Sequence, residues 1–248
     1  MRDSKKMITA AANRRAAFEA EQKAELEKKQ KLKAQNRKWM IAAALSVVAA
    51  VAIQGLFAPA APEDQPADSL SNSSIVPDPA LAEARTWTGT LSLNDVSLGI
   101  ELDGAASPQS TANFLSLAQN GFYKDLSCHR LTNGGFFILQ CGDPNGNGQG
   151  GPGYTWGPIE NAPSDNTYPA GTIAMARVGN DPNSQGSQFF IVYEDTQIPS
   201  DSAGGYSVFG RVTSGLDQLV DLVSTGVEGG GSDGKPVTPI SIGTIALN

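Results

Sequence analysis

From residue 85 to the C-terminus, short apolar runs alternate with clusters of Gly, Asn and Asp. Runs of this length, rich in β-branched and aromatic residues and bounded by turn formers, predict strands. They fall at 87–93, 99–102, 128–132, 136–141, 172–176, 189–192, 208–212 and 240–246. Two stretches switch to a helical period. Ser107-Pro108 offers an N-cap with proline at the first helical position, Phe114, Leu115, Leu117 and Ala118 supply an apolar face, and Gly121 stops it. Further on, Ser214 stands at the N-cap position of a stretch in which Leu216, Leu219, Val220 and Val223 recur at i, i+3, i+4 and i+7, ending at Gly226. Many strands, two helices and no β-α-β alternation predict a mainly β fold, a closed antiparallel barrel plugged by helices.

Upstream the pattern differs. Residues 39–58 form an apolar run of twenty without a charge. At about 1.5 Å per helical residue this spans about 30 Å, the thickness of a bilayer's hydrocarbon core. Charge decides between a membrane span and a buried helix. Residues 1–38 hold twelve Lys/Arg against five acids, and Lys28, Lys29, Lys31, Lys33, Arg37 and Lys38 crowd one end of the run. Positive flanks stay in the cytoplasm, so the expectation is one transmembrane helix over 39–58 with the N-terminus inside and residue 59 onward outside. A cleaved signal peptide competes with this reading, because small residues follow the run. The 38 preceding residues are too long for a signal n-region, which favours an uncleaved anchor.

The organisation that follows is a basic cytoplasmic helical segment over 1–38, a membrane span over 39–58, a Pro/Ala-rich linker over 59–84 and a folded domain over 85–248. Five prolines between 59 and 79 support the linker. Asn72-Ser73-Ser74 has the spacing of a glycosylation acceptor. The net charge of −7 hides the split: residues 39–248 carry six Lys/Arg against twenty acids. A nucleic-acid-binding domain would concentrate basic residues on its folded part, so that function is excluded.

Three motifs are set aside on context. Residues 146–151 fit a dinucleotide fingerprint, but Pro152 and Gly153 follow where a helix must begin. Asp143, Asn145, Asn147 and Gly148 open like a calcium loop, yet Tyr154 stands where the closing glutamate belongs. Gly230, Ser232 and Gly234 fit a nucleophile elbow within a glycine-rich turn. His129 is the only histidine, so neither a hydrolytic triad nor a zinc site is expected, and it reads as a buried, hydrogen-bonded structural residue.

Three segments occur together in order: Cys128-His129-Arg130 with Phe137–Asp143 (FILQCGD), Met175-Ala176-Arg177, and Gly186–Ile191 (GSQFFI). Asn113-Phe114-Leu115, Gly121-Phe122-Tyr123 and Val208-Phe209-Gly210 add to them. Over roughly residues 87–247 the chain resembles the cyclophilins. The resemblance implies a closed eight-stranded antiparallel barrel with two capping helices and peptidyl-prolyl cis/trans isomerase activity, with no cofactor and no metal. It implies Arg130 as the catalytic residue, and Phe137, Ile138 and Phe190 as the apolar pocket for the proline ring, with Phe189 in the core. Gln140 and Gln188 would orient Arg130 and hold the substrate carbonyl, and Ala176 and Arg177 would offer backbone groups to an extended peptide.

Four departures stand out: a turn at 133–136 about two residues longer than the family's, Arg177 for Asn, Ile198-Pro199 for the Trp-Leu of many eukaryotic members, and Tyr206 for His at the pocket rim. The missing Trp predicts weak cyclosporin binding. The expected partners are proline-containing polypeptides outside the cytoplasm, whose folding the enzyme would assist, and the lipid bilayer through 39–58. The alternative is a catalytically weak binding module or holdase of the cell envelope. Cys128 and Cys141 are a possible disulfide, since an external domain with two cysteines sits in an oxidising compartment. A four-residue turn over 133–136 would place the two face to face. A register with Arg130 opposite Gln140, as the family implies, would point them to opposite faces unless a bulge intervened. The compartment favours the bond, and both registers remain open.

Overall fold

The computed structural model describes residues 72–73 and 75–248. The expected basic segment, membrane span and first part of the linker lie outside the described residues. Among those described, no helix is long and apolar enough to cross a membrane.

The elements are β1 (Thr86–Leu93), β2 (Val96–Asp103), α1 (Pro108–Gln119), β3 (Arg130–Gly134), β4 (Phe136–Cys141), β5 (Thr167–Tyr168), β6 (Thr172–Met175), β7 (Phe189–Val192), β8 (Thr196–Gln197), β9 (Val208–Ser214), α2 (Leu216–Val223), β10 (Asp233–Gly234) and β11 (Ile242–Leu247). The expected eight-stranded closed barrel is instead a curled sheet of nine strands, in the order β10-β3-β4-β7-β6-β9-β2-β1-β11, beside a β5-β8 ribbon. β10 occupies the outer edge of β3, so β3 and β11 form no ladder with each other. Irregular backbone bonds cross between the two sides: Ser127 bridges Ser241, Asp125 N–H donates to the Ile242 carbonyl, Ile242 N–H to that of Leu126 and Cys128 N–H to that of Ile240.

Alternation along the strands sorts the apolar side chains onto two faces. Leu139 and Cys141 of β4, Ile173 and Met175 of β6, and Phe189 and Ile191 of β7 enter the main core with Phe114, Phe209 and Leu219. Their neighbours Ile138, Ala174, Phe190 and Val192 form a second, smaller cluster with Tyr168 and Ile198. Phe114 brings α1 into the main core, its ring 5.0 Å from Tyr123 and 5.3 Å from both Phe189 and Phe209.

The helix starts differ from expectation. Ser107 stands at the N-cap of α1, but its hydroxyl donates to the Val208 carbonyl. The cap comes from afar: the Glu160 carboxylate accepts the N–H groups of Gln109 and Ser110 and the Ser110 hydroxyl. Ser214 is spent as the last residue of β9, leaving Gly215 at the N-cap of α2 with φ 81°. A Cβ there would also lie 2.7 Å from the Ser97 carbonyl oxygen, so glycine satisfies backbone and space together.

The β3–β4 register pairs Arg130 with Gln140 and Gly134 with Phe136, turning at Gly135 with φ 87°. Cys128 and Cys141 are nonetheless joined, with Cα atoms 4.0 Å apart. The opposite-faces argument fails because the ladder ends at Arg130. Beyond it Cys128 hydrogen-bonds toward Ile240 and is free of the alternation that β4 would impose.

The domain also begins earlier than residue 85. Val76 is buried in the main core, and a short 3-10 turn over Pro79–Ala82 buries Ala82, whose carbonyl accepts the Trp87 indole N–H. Asn72 donates to Gln109 and accepts from the Gly157 N–H, so both ends of its amide are occupied and it makes a poor glycosylation acceptor. This strap is part of the fold. A chain starting at residue 86 should be less stable than one starting at 72 by about 2–4 kcal/mol, the burial of Val76 and its neighbours. Urea midpoints of the two chains measure the difference, and equal midpoints would mean the strap contributes nothing.

Candidate active site

One row of residues crosses four strands. Arg130 on β3 faces Gln140 on β4, Gln140 faces Phe190 on β7, and Phe190 faces Ala174 on β6. Gln188 lies two residues before Phe190, one residue ahead of β7. Register therefore brings a guanidinium, one amide and an aromatic ring together, with the Gln188 amide just ahead of β7.

The polar half is a directional chain of hydrogen bonds. Arg130 Nη1 donates to Gln140 Oε1 at 3.3 Å, Gln140 Nε2 to Gln188 Oε1 at 2.8 Å, and Gln188 Nε2 to the Gly150 carbonyl at 2.8 Å. A guanidinium can only donate and a carbonyl can only accept, so the two ends fix the orientation of both amides between them. On its other side Arg130 forks onto Asp233, Nε to Oδ1 at 2.8 Å and Nη2 to Oδ2 at 2.7 Å. This hydrogen bonding raises the Arg130 pKa further and lowers that of Asp233.

The loop that leads to Gly150 is tied down in turn. Asp143 is buried, and its carboxylate accepts the N–H groups of Asn145, Asn147 and Gly148. Burial alone would raise its pKa, but the three donors and nearby His129 outweigh it and hold the carboxyl low. The stretch that opened like a calcium loop thus spends its first carboxylate on its own backbone. Among the described residues no His, Cys, Asp and Glu cluster could hold a metal ion.

The apolar half is the second cluster. The Phe190 ring lies 5.5 Å from Tyr206 and 6.4 Å from Tyr168, edge to face, with Ile138 and Ile198 in the same cluster. Phe137 does not share this face. It packs against the main core and stands 5.9 Å from Tyr193. Its neighbour Phe136 packs on the second cluster, with its ring 5.6 Å from the Arg130 guanidinium carbon. With Gln140 fixed in the row, period-two alternation selects 138 and 136, which excludes 137.

Ala176 and Arg177 line a cleft of about 700 Å³ beside Gln140, Gly150, Tyr154 and Gln188. The Ala176 N–H already donates to the Gln188 carbonyl. The Arg177 side chain is 1% exposed and donates to Asp201 and to the carbonyls of Val178, Gly204 and Gly205. The Arg177 guanidinium, with the N–H groups of Asn180 and Ala203, holds Asp201 far below the usual carboxylate range. Arg177 lies 4.8 Å from the Tyr206 ring, so its side chain staples the rim strand of chain that carries Tyr206.

Residues 89–246 match the family model for cyclophilin type peptidyl-prolyl cis-trans isomerase/CLD. The chain belongs to the cyclophilin family. It is 43% identical over 167 residues to the probable peptidyl-prolyl cis-trans isomerase B of Mycobacterium tuberculosis, covering 62% of this chain and 52% of that protein. To the peptidyl-prolyl cis-trans isomerase B of Bacillus subtilis it is 44% identical over 132 residues, covering 52% and 86%. The chain thus spans about half the length of the mycobacterial relative. A crystal structure of a Cryptosporidium parvum cyclophilin type peptidyl-prolyl cis-trans isomerase superposes with a TM-score of 0.56 at 31% identity, covering 66% of this chain and 98% of that one. Another structure of that protein, in the presence of the dipeptide Ala-Pro, gives a TM-score of 0.55.

In this cyclophilin, sequence reasoning missed three site groups: Phe136, Asp233 and the Gly150 carbonyl. Phe136 was legible from alternation once the register was known. Asp233 lay inside the dismissed Gly230–Gly234 motif, and only the β10–β3 pairing reveals its role as a neighbour of Arg130. His129 is buried as expected, but neither ring nitrogen has a hydrogen-bond partner among the described residues.

Burial lowers the His129 pKa from its ordinary 6.5, with Asp143 opposing and Arg130 reinforcing. The unfolded chain therefore binds a proton that the folded one refuses. Stability should fall as pH drops below 6.5, until the lower folded value is reached. As the chain's only histidine, His129 dominates this window, since the carboxylates titrate lower. Thermal melts between pH 7.5 and 5.5 should show the decline and lose it in His129→Gln. An equally steep decline in the variant would assign it elsewhere.

Proposed function

We propose that this chain is a peptidyl-prolyl cis/trans isomerase, anchored in the membrane by 39–58 and acting on X–Pro bonds of proteins outside the cytoplasm to assist their folding. The observation that carries the catalytic part is Arg130, held by Asp233 and Gln140 in the same row as the Phe190 cluster.

Rotation about an X–Pro bond breaks amide resonance, at a barrier of about 18–20 kcal/mol. The reaction needs no nucleophile and no proton transfer. It needs surroundings that favour the twisted amide over the planar one. As the amide twists, its nitrogen lone pair is freed from resonance and can accept a hydrogen bond. A guanidinium has five N–H bonds, and Asp233 and Gln140 take three. Two remain without protein partners among the described residues, one on each terminal nitrogen, and one of these can reach the proline nitrogen. The planar amide offers it little to accept, so the interaction strengthens toward the transition state. Phe136, Ile138, Phe190 and Tyr206 supply the apolar floor and rim on which a proline ring would rest. The related structure obtained in the presence of the dipeptide Ala-Pro supports this reading.

The full chain should accelerate exchange of an Ala-Pro peptide, measured by NMR line shapes. Arg130→Ala should lose about a hundredfold, the scale for removing a transition-state hydrogen-bond donor, with circular dichroism unchanged. An unchanged exchange rate in this variant would sink the mechanism, and no acceleration by the unaltered chain would favour a binding module.

The location rests on sequence: an uncharged run of twenty residues with basic residues crowding its N-terminal flank. External protease on intact cells should release the domain and leave a short membrane-bound stub. A protected domain would reverse the orientation.

A further inference from the structure

We propose that Asp233 is a positioning residue for Arg130: its carboxylate fixes the guanidinium so that the free edge, rather than the Nε–H, meets the substrate amide. The proposal rests on the isomerase reading above and adds to it a residue outside the apolar pocket and the glutamine chain.

Three observations carry it. First, the contact is a two-point fork at 2.8 and 2.7 Å, the geometry in which a carboxylate fixes the plane of a guanidinium as well as its distance. Second, the carboxylate is itself placed by the sheet. β10 pairs Asp233 with Thr132 and Gly234 with Leu131, and Asn133 N–H donates to the Ser232 carbonyl. Backbone bonds on both sides of Asp233 thus tie it to the strand that begins with Arg130. Third, the fork and Gln140 hold different nitrogens, Nε with Nη2 on one side and Nη1 on the other. Together they leave one N–H on each terminal nitrogen. Without Asp233 the Nε–H would be freed to compete for a substrate carbonyl, and a long, partly exposed side chain would regain its rotamers.

Ordinary stabilisation does not explain the pair. Asp233 is half exposed and Arg130 about one-third exposed, and ion pairs in such settings contribute little to folding. Its effect would fall on the geometry of catalysis, where small misplacements are amplified. An aspartate is ionised at neutral pH without help, and the hydrogen bond from Arg130 lowers its pKa further, so the fork persists at working pH.

The test uses the full chain with Asp233→Ala, Asp233→Asn and Arg130→Ala, read by peptide exchange and by the ¹⁵Nε resonance of Arg130. Asp233→Ala should lower kcat about ten- to a hundredfold with little change in KM, and its Arg130 Nε–H should exchange rapidly with water. Asp233→Asn retains one acceptor and should fall between it and the unaltered chain. Unaltered activity in Asp233→Ala, while Arg130→Ala loses about a hundredfold, overturns the proposal and leaves the isomerase reading standing. Unaltered activity in both overturns both. A rise in KM with kcat unchanged would make Asp233 a substrate contact and also defeat the proposal.

Discussion

The period-two alternation of side chains across β4, β7 and β6 is the constraint on which the cleft depends. Each strand sends one set of residues into the main core and the complementary set to the site. Phe189 and Phe190 show the division most plainly: adjacent in sequence, one meets the Phe114 ring and the other the Tyr206 ring. The site is therefore the reverse side of the core. A single-residue slip of β4 would exchange Leu139 for Gln140, burying an amide among apolar residues and exposing leucine to water. The cost of that exchange holds the register, and the register holds Arg130 opposite Gln140.

Much of this was legible in the chain. Strand positions and both helices followed from periodicity, and the candidate site residues came from the resemblance to the cyclophilins. What escaped reading was non-local. The cap of α1 comes from Glu160, fifty residues away, and no local pattern announces a carboxylate that folds back onto a helix start. Alternation along β4 from Gln140 sets Phe136 with the pocket and Phe137 with the core, a division that the motif order alone did not show. The disulfide shows a related limit. An argument from strand register is sound only while both residues belong to the ladder, and Cys128 stands outside it.

Charge is distributed with similar economy. Residues 39–248 carry six basic side chains, and four of them are paired: Arg85 with Glu83, Arg130 with Asp233, Arg177 with Asp201 and Arg211 with Glu101. The two arginines at the cleft are thereby used for their geometry. Arg177 gives its donors to a rim segment, and Arg130 keeps only an edge.

The strap that seats Val76 in the core alters the mechanics of a tethered domain. If the chain is fastened at residue 58, thirteen residues separate that point from Asn72, against twenty-six for a domain beginning at residue 85. Fully extended, thirteen residues reach about 45 Å and twenty-six about 90 Å. The volume a fastened body can sweep scales with the cube of that reach, so halving the reach concentrates it about eightfold near its point of attachment.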